Sequence, residues 1–241
     1  MAVSVDTVYQ RVLGILNKEQ RGYVTPQEFN LFANQAQLDI FEQYFYDINQ
    51  FGRVAGNSTE YSDMLTLLNE KINLFETTAS MAYSGGYFTL PSNLYRLGTI
   101  IYTNTTTNPF GVTSNEDIEV ERINKNEFLY INSSPLTKPK NIRPIYIADT
   151  NGIKAYGNIT LTTGIKCNYI KKPAKVQWGY QMVYGEALYD STISQNFEVH
   201  ASEETDLVIK ILALAGLVTK DPDMYTAATQ EDALNTQQEK S

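Results

Sequence analysis

Few residues in this sequence could carry out nucleophilic, acid–base or metal chemistry. There is one histidine, His200, and one cysteine, Cys167, so neither a His–Cys zinc cluster nor an intrachain disulfide can be built. His200 precedes an expected helix start, where a capping or surface role is the usual one. Cys167 falls in an expected strand, where a small buried residue is the usual finding. Neither position has the surroundings of a nucleophile or a general base.

Carboxylates are more common, but their spacing does not define a catalytic pair. Glu119 and Glu121, in the run NEDIEVE, would share one face of a strand and are the acids that a glycan-cleaving enzyme would use. The run DPDMYT at 221–226 begins like a calcium loop, but Thr226 replaces the glycine needed at the sixth position. We therefore predict no enzyme activity, no cofactor and no metal site.

The stretch YIKKPAKVQWGY, at 169–180, interleaves lysines with aromatic residues, as nucleic-acid grooves do. The whole chain is acidic, with a net charge of −8 over 241 residues, whereas proteins that coat phosphates are usually basic. From these residues alone, the stretch is either a nucleic-acid site or the end of a strand with another role.

Helical patterns occupy both ends of the chain. The run TPQE at 25–28 predicts a helix start, with Thr25 as the N-cap, Pro26 in the first position and Glu28 closing a capping box. The helix that follows has apolar residues on more than one face, among them Phe41 and Phe45, so either the chain's own helices or a neighbouring subunit must cover it. Near the C-terminus, Ser202 and Pro222 are expected to begin two more helices, the second of them largely polar.

The middle of the chain is predicted to form antiparallel β structure, because short β-branched and aromatic runs alternate there with turn signals. Residues 103–111 are expected to form a polar loop, and residues 159–162 a strand. The predicted fold is α+β: a helical bundle formed by residues 1–82 and 200–241, with a β-rich domain, residues 83–199, inserted between them. Because no run approaches the ~20 apolar residues that span a bilayer, and the N-terminus has no signal-peptide pattern, we expect a soluble intracellular protein.

Several segments resemble a known family. They are GYVTPQEFNLFANQAQLDIFEQYF at 22–45, LPSNLYRL at 90–97, the 169–180 stretch, and the C-terminal segment from residue 202. In this order they resemble the head-to-tail connector proteins of tailed phages, most closely the neck ring proteins of crAss-like phages. The resemblance runs along the whole chain.

The resemblance implies a structural virion protein. Such proteins form a ring, commonly of twelve subunits, that lies below the portal, joins it to the tail and other neck rings, and extends the channel through which DNA leaves without being specifically bound. The implied location is the virion neck, with the host cytoplasm as the place of assembly. It also implies that the strand ending at Lys171 and Lys172 is structural, with both lysines able to pair with acidic residues of the same or a neighbouring subunit.

Eight residues are the expected contacts with other subunits or the portal: Phe41, Phe45, Lys171, Lys172, Trp178, Pro222, Tyr225 and Leu234. The alternative is a tail-associated module that binds a carbohydrate or a receptor, because the β region and the 17 tyrosines of the chain would suit a sugar platform.

Overall fold

The structure is a computed structural model that describes residues 3–18, 24–51, 64–107, 113–219 and 222–239. The α+β class is confirmed. The chain divides into two compact units: unit 1 comprises residues 1–74 and 173–241, and unit 2 comprises residues 75–172. The sequence placed the domain boundaries later, at residues 83 and 199. It missed the first strand, whose run ETTAS is polar, and a hairpin that belongs to unit 1.

Helices and strands follow one another in the order expected for a β-rich segment between helical ends. The helices are α1 (Val5–Lys18), α2 (Pro26–Phe51), α3 (Met64–Asn73), α4 (Lys125–Ser133), α5 (Glu204–Thr219) and α6 (Pro222–Glu239). The strands are β1 (Glu76–Ser80), β2 (Tyr83–Ser84), β3 (Tyr87–Phe88), β4 (Leu94–Thr107), β5 (Thr113–Glu119), β6 (Glu121–Arg122), β7 (Ile145–Asp149), β8 (Gly152–Tyr156), β9 (Ile165–Lys171), β10 (Tyr180–Val183) and β11 (Glu186–Tyr189).

The capping box predicted for α2 is present. Glu28 accepts hydrogen bonds from the backbone N–H of Thr25 at 2.9 Å and from its hydroxyl at 2.8 Å. The Thr25 hydroxyl in turn accepts from the backbone N–H of Glu28 at 3.3 Å. These bonds satisfy groups that the first helical turn leaves without partners, and α2 begins at Pro26 as the sequence indicated.

Three side-chain amides of α2 bind the extended backbone that follows β9. Asn30 both donates to the carbonyl of Trp178 and accepts from its N–H, at 3.2 and 2.7 Å. Asn34 makes the same pair of bonds with Val176, at 2.8 and 2.9 Å. Gln37, one helical turn on, donates to the carbonyl of Ala174 at 2.8 Å. Because these positions lie on one helix face, α2 serves this segment as a strand edge would. The segment thereby satisfies backbone groups that would be costly to bury without partners.

The described residues of unit 2 form two sheets. One has the strand order β1-β9-β4-β5 and is antiparallel throughout; the other has the order β2-β3-β8-β7-β6 and is antiparallel except for β6 and β7. The expected all-antiparallel pairing is therefore wrong at this one edge, where α4 connects β6 to β7. The core of unit 2 is formed by buried side chains from both sheets, including Phe88, Ile100, Ile153, Ile165 and Cys167.

Two local expectations in unit 2 are wrong. The polar run predicted as a loop is largely strand, because β4 continues to Thr107 and its polar side chains bond across to β5; the rest of that run, residues 108–111, lies outside the described residues. One such cross-strand bond joins Thr103 to Asp117 at 2.6 Å. Residues 159–162 form no strand, since Ile159 accepts a turn hydrogen bond from Gly157 and only an isolated bridge at Thr160 follows.

Candidate interaction surfaces

Phe41 and Phe45 are core residues of the protomer. Both rings are buried within unit 1, and they contact each other edge to face with centroids 5.1 Å apart. The expectation that they contact another subunit is corrected, because the chain's own residues cover the second apolar face of α2.

Trp178 is also in the core of unit 1. Its ring packs 4.1 Å from that of Tyr9, and Tyr180 and Tyr189 each lie 5.8 Å away on the hairpin. The indole Nε1 donates to Asp6 Oδ1 at 3.0 Å, so its polar edge is satisfied inside the protomer. Trp178 therefore positions the β10–β11 hairpin and does not offer a surface to a partner.

β9 ends at Lys171, close to where the sequence indicated, and Lys172 and Pro173 follow it. The backbone N–H groups of the two lysines donate to the carbonyls of Phe75 and Asn93, at 2.9 and 2.7 Å. The Lys172 side chain is exposed and that of Lys171 is half-buried. Nearby Tyr169 is buried and, like Trp178, is not available to stack on bases. The lysines thus mark a strand end, and two of the three aromatic residues of the stretch, Tyr169 and Trp178, are buried and unavailable to a nucleic acid.

The C-terminal helix begins at Pro222, as predicted. The side chains of Pro222 and Tyr225 lie outside the described part of the chain. Among the described side chains of α6, residues 226–234, Ala228 is buried and Leu234 is exposed. Asp232 accepts a charged hydrogen bond from Lys210 of α5 at 3.0 Å. The described side chains of this helix attach it to unit 1 by a small apolar contact and an ion pair, and most of them are open to solvent.

The β10–β11 hairpin is a surface that the sequence interpretation missed. Its two-residue turn has positive φ at both central residues, 55° at Tyr184 and 89° at Gly185, which is the type I′ pattern. Tyr184 is fully exposed, and Met182 and Leu188 are more than half exposed. A tyrosine in the left-handed region is uncommon. The signal for this turn was the Tyr-Gly dipeptide between two short strand-like runs.

A second missed surface lies in unit 2. We call it the unit 2 patch: five large apolar side chains on α4 and the loops near it, each 71–92% exposed, namely Leu129, Tyr130, Leu136, Ile142 and Ile159. Two contacts connect these elements: Phe128 packs 4.6 Å from Tyr156, and Asn158 donates its N–H to Asn141 at 3.0 Å. The signal was the run SPLTKPKNIRP, in which apolar residues occur singly between prolines and basic residues. Several exposed apolar side chains close together are typical of interaction sites.

A buried charged cluster connects several elements of unit 1. Lys71 Nζ lies 2.6 Å from Glu203 Oε1, with both side chains largely buried, and 5.6 Å from the centre of the Tyr44 ring. Asp47, also buried, and the Lys210–Asp232 pair line the same small polar cavity. The cavity, of about 20 Å³, is large enough for one water molecule. Lys71 thus links α3 to Tyr44 of α2 and to Glu203 just before α5, and the Lys210–Asp232 pair links α5 to α6.

The residues considered for catalysis in the sequence lie in a helix cap, in the core of unit 2 and on the surface. His200 caps a single 3-10 turn, Ala201–Glu203, by accepting from the backbone N–H of Ser202, so His200 and not Ser202 is the cap. Burial raises the pKa of the Cys167 thiol, which suppresses its nucleophilic form. Glu119 and Glu121 are both exposed, and Glu121 is bound to Arg143 at 3.1 Å. Among the described residues, no cluster of His, Cys, Asp or Glu has the arrangement of a metal site.

No protein-family model matches the sequence, and no curated protein matches it. None of the helices in the described part of the chain is both long and apolar enough to cross a bilayer.

Proposed function

We propose that this protein is a structural subunit of a ring in the neck of a tailed phage, where copies of the chain associate side by side, join the portal to the tail and extend the channel for DNA. In this proposal the protein acts through its surfaces and has no catalytic step. The phage neck as the location comes from the sequence resemblance, and the surfaces support the role as an assembly subunit.

The observation that carries the proposal is that each compact unit exposes its own set of large apolar side chains. Unit 1 exposes large apolar side chains on its hairpin and on α2, and unit 2 exposes the unit 2 patch. A subunit in a ring contacts two neighbours through two different surfaces. Distinct exposed apolar surfaces on one chain meet that requirement, whereas a protein that works alone has little use for them.

The charge distribution supports the same role. Unit 1 carries 20 acidic and 9 basic side chains, a net charge of −11, whereas unit 2 carries 7 acidic and 10 basic side chains, a net charge of +3. Opposite charge on two parts of identical subunits favours head-to-tail contacts over contacts between like parts. An acidic unit facing a channel would also repel DNA and let it pass.

Electron microscopy tests the proposal. Images of the purified chain, alone and mixed with its portal protein, are expected to show rings with a central hole, and images of virions with this chain labelled are expected to show the label at the neck. A compact monomer that does not join the portal, together with a label located elsewhere in the particle, would refute the proposal.

One feature favours the alternative of a carbohydrate-binding module. An open groove of about 620 Å³ lies across β1, β9 and β4, lined by polar groups that include Thr77, Thr99 and Asn168. Its aromatic residue, Tyr169, is buried and bonded through its hydroxyl to Asn93 at 3.0 Å, so it does not form a stacking platform. Glycan-array binding by the monomeric chain would favour this second function.

A further inference from the structure

We propose that the unit 2 patch of one subunit docks on the solvent face of α2 in the next subunit. This inference rests on the proposed function and names the contact that would build the ring. It commits to a second copy of this chain as the partner because the two surfaces have complementary composition and charge.

The α2 surface consists of exposed residues that lie on one side of the helix. At 3.6 residues per turn they fall within about 100° of its circumference; they are Leu31, Gln35, Leu38, Asp39, Glu42 and Tyr46. Three are apolar or aromatic and two are acidic. The whole of α2 contains four acidic residues and no basic residue. We call these six residues the α2 face.

The unit 2 patch has the opposite charge. Residues 122–143, which contain most of it, hold five basic side chains and one acidic side chain, a net charge of +4. Within that segment Arg143 is bound to Glu121, and Lys125 lies 2.9 Å from Asp149. Lys138 and Lys140 are exposed and have no ion-pair partner among the described residues, so they are available to an acidic partner.

The two surfaces therefore match in both respects that an interface requires. Each presents large apolar side chains for a dry centre and charges for a polar rim, and the charges are of opposite sign. Since the surfaces are different and lie on different units, the contact is heterologous, and repeating it adds subunits in one direction until a ring closes. A symmetric pairing of either surface with its own copy would place like charges against each other.

Charge exchange in the full-length chain tests the contact. The first variant carries Lys138→Glu and Lys140→Glu, the second carries Asp39→Lys and Glu42→Lys, and the third combines all four changes. The control is Lys175→Glu, a single lysine-to-glutamate change at an exposed position outside both surfaces. Sedimentation velocity over a concentration series, at low and high salt, gives the association constant of each.

We expect the first and second variants to associate roughly tenfold or more weakly than the natural chain, the combined variant to recover most of that loss, and the control to match the natural chain. Because the combined variant carries all four substitutions, a recovery of association in it would show that none of them damages the fold. The contact is refuted if both charge variants associate as the natural chain does, if the combined variant shows no recovery, or if the natural chain stays monomeric at about 1 mM.

These results separate the contact from the proposed function. Rings on the portal that form normally from the first variant would overturn the contact and leave the neck role intact. Conversely, recovery in the combined variant with open chains in place of rings, or with no labelled chain in virion necks, would support the contact and overturn the neck role.

Discussion

Asn34 and Val176 are joined by two hydrogen bonds: the Asn34 amide donates to the Val176 carbonyl at 2.8 Å and accepts from the Val176 N–H at 2.9 Å. A helix side chain thus takes the place of a neighbouring strand. Asn30 repeats the arrangement with Trp178 one turn earlier, so this helix face explains why the chain leaves β9 and still remains ordered.

Replacing Asn34 with Asp is expected to lower the free energy of unfolding of unit 1 by about 1–3 kcal/mol, because a carboxylate oxygen then faces the Val176 carbonyl and the donor is lost. Urea unfolding followed by the fluorescence of Trp178, the single tryptophan, measures the change. Asn69→Asp, at an exposed position in α3, makes the same chemical change and is expected to stay within about 0.5 kcal/mol. Equal losses in both variants would contradict this role for Asn34.

Removing only one partner of the Lys71–Glu203 pair is expected to lower the free energy of unfolding substantially. Lys71→Met leaves a buried carboxylate without its cation, and the expected loss is about 3 kcal/mol in the same unfolding measurement. Arg11→Met removes the more exposed pair that Arg11 forms with Glu204 at 2.9 Å, and we expect it to cost less than about 1 kcal/mol. A smaller loss for Lys71 than for Arg11 would show that burial does not decide the strength of these pairs.

Tyr184 is expected to be replaceable with a gain in stability. Tyr184→Asn should stabilise the chain by up to about 1 kcal/mol, because Asn tolerates the left-handed conformation and Asn-Gly is the preferred type I′ turn. Thermal unfolding measures the gain, and Tyr184→Ala, which keeps a Cβ without the local hydrogen bonding of Asn, should gain less. If the Asn variant is less stable than the natural chain, the turn is not strained in this way.

The Glu28 carboxyl provides a pH test. The Thr25 backbone N–H, and secondly its hydroxyl, lower the pKa of Glu28 below the ordinary value. Because the folded pKa is below the unfolded one, this bond stabilises the fold at neutral pH, and the contribution is lost as the pH falls through the folded pKa. Carboxyl NMR titration should show the pKa rising toward its ordinary value in Thr25→Val, while Thr25→Ser should retain most of the shift. An unchanged pKa in Thr25→Val would exclude the hydroxyl as a contributor.

Removal of α6 tests its docking role. A chain ending at Asp221 loses the Lys210–Asp232 ion pair and the buried Ala228, but no larger buried side chain among those described, since Leu234 is exposed; we therefore expect it to remain folded. Its affinity for the portal is expected to fall at least tenfold in a pull-down titration. Unchanged affinity would remove α6 from the portal contact.

Local sequence signals predicted the α2 start and the end of β9, because each depends on residues close together in the chain: a capping box and a proline. The sequence predictions were wrong where contacts between distant residues determine the local structure. Thr103 pairs with Asp117 across a strand, so a polar run that looks like a loop is β4. Likewise, Trp178 packs on Tyr9, which lies 169 residues earlier in the chain. The spacing of residues within either segment cannot predict that the two segments pack together.

Cys167 lies in the middle of β9 between two layers of packed side chains, and burial keeps its thiol protonated. A new cysteine placed anywhere on the surface would consequently react with a maleimide dye far faster than the resident one. The natural chain is thus already a suitable background for single-site fluorophore or spin labelling, and distances between labelled copies could be followed while particles assemble.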